Sequence, residues 1–337
     1  FLVVYDFVEY ARNNNIPSAP RGSGVATLLG YCLRIAEVDP LKYGLLFERF
    51  TDPERHEAPD IDIDMCQEGR QKVIDYVREK YGHVAQIITY GSLKAKAVLK
   101  DVGRVLGFEP RDMDAITKLI PDGPKVTLAK ALKSEPDLQR MQDADPRVAE
   151  LFEYAKKLEG LYRHTGIHAA GVIVADVPLE TVVPLYVAKQ PEPGQPADLV
   201  TQWDGPTCEK VGLMKMDFLG LRTLTILQRC RELVRARTGE DHDPELFPLD
   251  DDNVYALFRN GYTDGVFQFE SDGMKNVLAQ MKPEKLTDII AANAMYRPGP
   301  MEFIPDYCKR KDGSEPVPSL HESVDGLLAE TYGIMAY

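Results

Sequence analysis

The stretch Pro59-Asp60-Ile61-Asp62-Ile63-Asp64 decides how the chain is read. Isoleucine and aspartate alternate with period two, the pattern of a half-buried β-strand whose successive side chains point to opposite faces. Ile61 and Ile63 then enter a core, and Asp60, Asp62 and Asp64 share the other face. Aspartate is a poor strand former, and like charges two residues apart on one face repel. Such a strand needs a compensating positive charge, and divalent cations that prefer oxygen ligands, chiefly Mg²⁺, are natural candidates. The same alternation also suits an exposed, charged edge strand that resists aggregation, so these residues alone leave both readings open.

A second acid stands in a similar setting at Lys215-Met216-Asp217-Phe218-Leu219-Gly220-Leu221. An unpaired carboxylate among Met, Phe and Leu side chains is costly to bury. If this strand lies beside the first, Asp217 completes a three-carboxylate cage for two metal ions, a geometry suited to in-line displacement at phosphorus. Lys215, two residues earlier, points to the same face, where it meets a phosphate or pairs with neighbouring acids. A metal-dependent nuclease or phosphohydrolase would use the same cage.

Upstream, Arg21-Gly22-Ser23-Gly24 precedes an apolar run over 25–35 with a mostly helical pattern. Glycines let backbone N–H groups approach a ligand, and a helix N-terminus favours anions. Ser23 has a hydroxyl and an N–H to donate, and Arg21 can bridge two phosphate oxygens. A Ser-Gly pair before a helix is also a common N-cap. Further along, a helix is expected over 67–81, with Val73, Ile74, Val77 and Tyr81 on one face, and a short strand over 85–90. Residues 91–170 read as almost wholly helical, strand character returns at 171–175, and a Pro/Gln/Gly-rich hairpin connection spans 190–196. After Arg222 the pattern is helical again, with Leu224, Leu227 and Leu233-Val234 as its apolar stripe. The plan is a strand-bearing unit interrupted by a helical insertion, followed by a third unit.

The whole-chain figures bound the function. The 337 residues, 44% hydrophobic and 28% charged, describe an ordinary folded protein of two or three units. No run of about 18 apolar residues exists to span a membrane. Phe1-Leu2-Val3-Val4-Tyr5-Asp6 has neither a basic segment nor a cleavage site, so it reads as chain entered in mid-domain rather than as a signal peptide. Five scattered cysteines form no C-x-x-C pair, which argues against zinc and fits reduced thiols in a cytoplasm. A net charge of −13 is opposite to that of a generic nucleic-acid binder, so any such contact must be local. Residues 92–171 carry 14 Lys and Arg against 12 Asp and Glu. Within them Lys96, Lys100 and Arg104 form one helical stripe, with Lys94 nearby, fit either for backbone phosphates or for a solvated face. His164 and His168 could touch DNA, but packing or capping is the favoured reading, and no catalysis is assigned to them.

Taken in order, several motifs are similar to those of the C-family replicative DNA polymerases of bacteria. These are Gly22-Ser23-Gly24, Leu46-Phe47-Glu48-Arg49-Phe50 with Pro53-Glu54-Arg55, the acidic strand, Gln86-Ile87-Ile88-Thr89-Tyr90-Gly91, and Val102-Gly103-Arg104-Val105-Leu106-Gly107. They continue with His168-Ala169-Ala170-Gly171-Val172, the segment from Lys215 to Thr225, and Tyr296-Arg297-Pro298-Gly299-Pro300. The resemblance covers essentially the whole chain. It implies an α+β fold: a palm like the nucleotidyltransferase domain of polymerase beta, built on a mixed sheet, with an inserted helical thumb and a partial helical fingers domain. The implied boundaries are 1–90 and 172–222 for the palm, 91–171 for the thumb and 223–337 for incomplete fingers. By position it implies that Asp60, Asp62 and Asp217 are catalytic and bind two Mg²⁺ ions, Mn²⁺ being an acceptable substitute, with Asp64 supportive rather than essential. Arg21, Gly22, Ser23, Arg49, Arg55 and Lys215 would line the dNTP phosphates, and Lys94, Lys96, Lys100 and Arg104 the DNA backbone. The implied activity is template-directed DNA synthesis in the cytoplasm on primer-template DNA and dNTPs, with a sliding clamp and other replisome subunits as partners of the intact subunit.

Two departures stand out: the loop Ser18-Ala19-Pro20-Arg21-Gly22-Ser23 is one residue shorter and poorer in glycine than the family's, and Met65 replaces a common Phe. The family's PHP domain, remaining fingers, clamp contact and OB domain are not in this sequence, so the chain is expected to be a fragment. Two other classes stay open, a metal-dependent nuclease or phosphohydrolase and a DNA-binding fragment inactive alone.

Overall fold

A computed structural model describes residues 1–22, 26–46, 61–121, 123, 126–188 and 198–337. The chain opens with helix α1 (Leu2–Asn13), which buries Val4, Phe7, Val8 and Ala11 along one stripe, and strand β1 (Ser18–Arg21) follows. Helix α2 (Leu28–Cys32) is shorter than the apolar run suggested; the Thr27 hydroxyl caps it, accepting the Gly30 N–H at 3.0 Å. The acidic segment forms strand β2 (Asp62–Cys66), then come helix α3 (Arg70–Tyr81) and strand β3 (His83–Ser92). Val73, Ile74 and Val77 are the buried face of α3, as their spacing requires, while Tyr81 is partly buried.

Among the described residues five helices lie between β3 and the next strand: α4 (Ala95–Val105), α5 (Pro110–Lys118), α6 (Leu128–Ser134), α7 (Pro136–Ala144) and α8 (Pro146–Leu158). They enclose their own core, with Val98, Leu99, Met113, Ile116, Leu151 and Phe152 at its centre. Strand β4 (Tyr162–Ala175) then returns to the sheet, followed by β5 (Leu185–Val187), β6 (Leu199–Thr201), helix α9 (Gly205–Lys210) and β7 (Met214–Leu221).

Both long strands exceed expectation. Residues 162–170 read as helical but extend β4, because β3 runs to Ser92 and offers its edge: Ile88, Thr89, Tyr90 and Gly91 pair with Ile167, Gly166, Thr165 and His164. The β-branched and aromatic residues here suit the pleat once a partner exists. The hairpin connection expected at 190–196 lies outside the described residues; β5 and β6 on either side of it pair antiparallel.

The seven strands among the described residues form one mixed sheet in the order β1-β2-β7-β4-β3-β6-β5. Two pairings are parallel, β2 with β7 and β3 with β6, and the rest are antiparallel. One face packs Ile63, Met65, Met216, Phe218, Val172 and Val174 against α1 and α3, with the rings of Phe7 and Phe218 4.8 Å apart. The opposite face is covered at the β3–β4 end by Leu179, Val183, Cys208 and Leu213 over Ala85, Ile87 and Ile173.

After β7 the chain is helical: α10 (Arg222–Thr238), α11 (Asp252–Arg259), α12 (Asp272–Met281), α13 (Leu286–Met295), α14 (Ile304–Lys311) and α15 (Glu322–Leu328). Helix α10 buries no residue fully. Of its expected stripe only Leu224 reaches the core, while Leu227 and Leu233 are exposed. Helices α12–α14 share a third core containing Leu278, Met281, Ala292, Met295 and Tyr307. No helix among the described residues is long and apolar enough to cross a membrane.

That third core holds a buried carboxylate. Asp288, 1% exposed, accepts the Glu284 N–H at 2.9 Å, the Tyr307 hydroxyl at 3.1 Å and the Lys311 ammonium at 2.8 Å. Lys311 also donates to the carbonyls of Met281 and Lys282 at the end of α12. Burial disfavours the ionised form, but these donors outweigh it and hold the carboxyl below the ordinary aspartate value of 3.8. Its contribution is therefore present above that value and is lost as pH falls through the lower folded one. Asp288→Ala strands the ammonium and is expected to cost about 3–5 kcal/mol, read as a lowered urea midpoint at pH 7; Asp288→Asn, which still accepts, should cost less.

Candidate active site

Strand register builds the site. Arg21 on β1 lies opposite Asp62 on β2, Asp62 opposite Asp217 on β7, and Asp217 opposite Gly171 on β4. Residues in register present side chains to one face, and neighbouring strands lie about 4.8 Å apart. Their neighbours Ile63, Met65, Met216 and Phe218, one step out of phase, fill the core on the other face. The two acidic segments, 155 positions apart at Asp62 and Asp217, thus meet side by side.

Two like charges so placed need cations, and each acid neighbourhood has one. Lys215 Nζ lies 2.6 Å from Asp217 Oδ2. Burial works against the Lys215 ammonium, but the Asp217 carboxylate, with Glu209 and Asp62 nearby, holds its pKa above the ordinary lysine value. Arg21 Nη2 donates to Asp64 Oδ1 at 3.2 Å. Asp64 is only 7% exposed, and burial pushes its carboxyl up while Arg21 opposes the shift. Asp64 thus shares the face of Asp62 but is enclosed and paired with Arg21. Gly22, which follows, has φ 97°, a left-handed conformation that favours glycine and turns the chain out of β1.

On the far side of Asp217, β4 bulges. Gln86 pairs with Val172 and Ile88 with Ile167, so the single residue Ile87 faces His168, Ala169, Ala170 and Gly171. The His168 ring closes this bulge: its Nδ1 accepts N–H bonds from Ala170 at 3.2 Å and Gly171 at 2.5 Å, and lies 3.9 Å from Asp217 Oδ1. Only glycine fits at 171, since a Cβ there would come within 2.8 Å of His168 Nδ1, 2.9 Å of Ile87 Cδ1 and 3.3 Å of Asp217 Oδ1. Arg70, the first residue of α3, ties the bulge to β7 by donating through Nε to the Phe218 carbonyl at 2.6 Å and through Nη2 to that of Ala169. Burial depresses the Arg70 pKa.

Sequence reasoning did not single out Arg70, because nothing local announces a guanidinium whose acceptors lie 99 and 148 residues away. For His168 the sequence favours packing or capping over a DNA contact, and the ring does cap the bulge; its neighbourhood with Asp217 needs the register. Asp60, Ser23, Arg49 and Arg55 lie outside the described residues. Among the described residues no group of three or more His, Cys, Asp or Glu is placed to hold a metal ion. The donor chemistry of Asp62 and Asp217, hard carboxylate oxygens with an ammonium beside one of them, nevertheless suits a small oxygen-preferring divalent cation.

The basic residues expected to meet DNA sit on or just before α4, and Lys100 and Arg104 among them form ion pairs within the chain. Lys100 bonds Asp114 at 2.8 Å, and Arg104 lies 3.3 Å from Asp101, which Arg163 also approaches at 3.1 Å. Lys94 is exposed at the helix N-cap, and Lys96 is partly buried.

Comparison with known proteins meets this geometry. The family model described as the bacterial DNA polymerase III alpha NTPase domain matches residues 1–220, and the alpha subunit finger domain model matches 223–337. The chain belongs to the bacterial DNA polymerase III alpha family. The change of model falls at the junction of β7 and α10, where the sheet ends. The chain is 45% identical to the DNA polymerase III subunit alpha of Aquifex aeolicus over 365 aligned residues, covering 100% of this chain and 31% of that protein. The Treponema pallidum and Bacillus subtilis subunits are 45% and 44% identical, again over 100% of this chain and 29% and 30% of theirs. The chain thus spans about a third of the length of these relatives.

If Arg70 holds the bulge to β7, Arg70→Leu leaves two carbonyls without their charged donor. A loss of about 2–3 kcal/mol is expected in urea denaturation, and Arg70→Lys, which can reach one acceptor at a time, should recover part of it.

Proposed function

We propose that this polymerase III alpha chain carries the catalytic core for template-directed DNA synthesis, transferring a nucleotidyl group from a dNTP to a primer 3′-hydroxyl and releasing pyrophosphate. The observation that carries this reading is the register of Asp62 beside Asp217 on parallel strands. With Asp60, these carboxylates would hold two Mg²⁺ ions, for which Mn²⁺ can substitute. When bound, such ions lower the pKa of an attacking hydroxyl and stabilise the charge that develops at phosphorus.

The chain's own residues do the rest. Lys215, which bonds Asp217 here, would be free to turn to a phosphate oxygen when the carboxylate holds a cation, and the site would keep its charge balance. Arg21, Gly22 and Ser23, with Arg49 and Arg55, bind the triphosphate. Lys94, Lys96, Lys100 and Arg104 meet the DNA backbone. The exposed pairs of α4 do not oppose this, because a surface ion pair is worth about 0–1 kcal/mol and exchanges readily for a phosphate.

In this reading 1–90 and 172–222 form the palm, 91–171 the thumb and 223–337 part of the fingers. The five helices between Ser92 and Tyr162 and the sheet on either side of them support that division. Primer-template DNA and dNTPs are the substrates, a sliding clamp and other replisome subunits the partners of the intact subunit, and the bacterial cytoplasm its place of work.

In a protein extended to the length of its relatives, Asp62→Asn and Asp217→Asn are each expected to lower primer extension by at least about a thousandfold, about 4 kcal/mol, with the urea midpoint unchanged. Full extension by Asp217→Asn would overturn the assignment, and shortening of labelled DNA with Mn²⁺ and no dNTP would favour a nuclease. A second expectation concerns the metal alone: because Lys215 competes for Asp217, Lys215→Met should bind Mn²⁺ several-fold more tightly than the parent chain in water-proton relaxation titrations.

A further inference from the structure

The His168 ring is bonded in a way that fixes where its proton sits. Nδ1 accepts two backbone N–H groups, from Ala170 and Gly171. A nitrogen that accepts carries no hydrogen, so the neutral ring must carry its proton on Nε2, which projects away from the bulge backbone. The ring is not enclosed, its side chain being 36% exposed, and it stands over Gly171 beside Asp217. Three features hold it there: the bulge of β4, the Arg70 bonds to Ala169 and Phe218, and the absence of a side chain at Gly171. Bulges beside functional sites commonly re-aim one side chain. Among the described residues no hydrogen bond uses Nε2.

We propose that His168 is a phosphate-binding residue of this site, its Nε2–H a preset donor to a phosphate oxygen held next to Asp217. The inference deepens the polymerase reading and rests on it for the ligand, which is a phosphate of either the incoming nucleotide or the primer-template backbone. The donor complements Lys215, which bonds the other carboxylate oxygen of Asp217: the lysine brings charge on a flexible stem, and the imidazole brings a fixed direction without competing for the carboxylate, since its nearer nitrogen is an acceptor. The two backbone bonds fix the ring before a ligand arrives, so little ordering is left for binding to accomplish.

The test separates this role from simple capping. In the 337-residue chain with ¹⁵N-labelled histidine, the His168 resonances, assigned by their loss in His168→Asn, should report the Nε2–H tautomer at pH 7. Adding dATP with Mg²⁺, or a short primer-template duplex, should shift them. An Nδ1–H tautomer, or no shift with either ligand, overturns the proposal. In the full-length protein His168→Asn keeps an acceptor for the Ala170 and Gly171 N–H groups but removes the distal donor. It is expected to raise the KM for dNTP, or the Kd for primer-template, about tenfold; which of the two rises identifies the source of the phosphate. Unchanged KM and Kd in His168→Asn, with both impaired in His168→Ala, would make the ring a cap only and overturn the proposal. Ligand-induced shifts at His168 in a full-length protein that extends no primer would instead sink the polymerase reading and leave the phosphate site standing.

Discussion

Parallel pairing of β2 with β7 is the constraint on which the rest of the site depends. It brings Asp62 and Asp217 into register at a strand spacing of about 4.8 Å, where two ionised carboxylates repel unless cations stand between or beside them. A parallel pair cannot be closed by a tight turn; it needs a long crossover. Here the crossover contains α3, β3, the five-helix insertion, β4 and the β5–β6 pair, and β4 lies on the far side of β7. The insertion therefore leaves from a sheet whose central strands are already fixed by α1 and α3, and its separate core lets it be large without disturbing the register of Asp62 and Asp217.

Charge is balanced locally around that pair. Lys215 and Arg21 each answer one acid, and they do so differently. The Lys215 ammonium sits on Asp217 at the end of a flexible stem and can leave when a stronger cation arrives. Arg21 is bonded to a carboxylate that is almost fully enclosed, so removing it would leave Asp64 buried and unpaired, a far costlier state. Asp64 is thus better suited to anchoring Arg21 at the β1–β2 edge, where the half-exposed guanidinium can still meet a phosphate, than to exchanging ligands, whereas Asp217 and Lys215 are suited to exchange. The same distinction explains how a chain with net charge −13 can have a surface compatible with nucleic acid. Its insertion carries exposed pairs such as Lys100–Asp114, in which the cation is weakly committed.

The acidic strand, the helix over α3 and the helical insertion were legible because each depends on local periodicity. Ile63 and Val77 face the core as their spacing demands. What failed depends on partners distant in sequence. Residues 162–167 carry no strong signal of their own and become strand because β3 offers an edge. The stripe on α10 was correctly apolar in pattern, yet Leu227 and Leu233 stay exposed, since periodicity specifies a face and says nothing about what covers it. Asp64 was grouped with Asp62 because alternation assigns both to one face; alternation cannot tell the open middle of that face from the part closed by Arg21. The family resemblance named Asp62 and Asp217, which the register brings side by side, but carried no account of Arg70, whose contribution is wholly three-dimensional.

The bulge at 168–171 shows how a motif legible only as a string of residues acquires a physical reason. His, two alanines and Gly make a poor strand on intrinsic preference, and a regular β4 would place one of them opposite Ile87 instead of four. The extra residues need compensation for the ladder bonds they break. The chain supplies it from its own side chains, His168 Nδ1 for two N–H groups and Arg70 for the Ala169 carbonyl. Both compensating groups then lie against β7, and the His168 ring requires that the residue facing Asp217 have no Cβ. Glycine at 171 is accordingly tied to the histidine three positions before it and to the carboxylate across the strand: a larger residue would displace the ring, free two backbone donors and crowd Asp217 in one step.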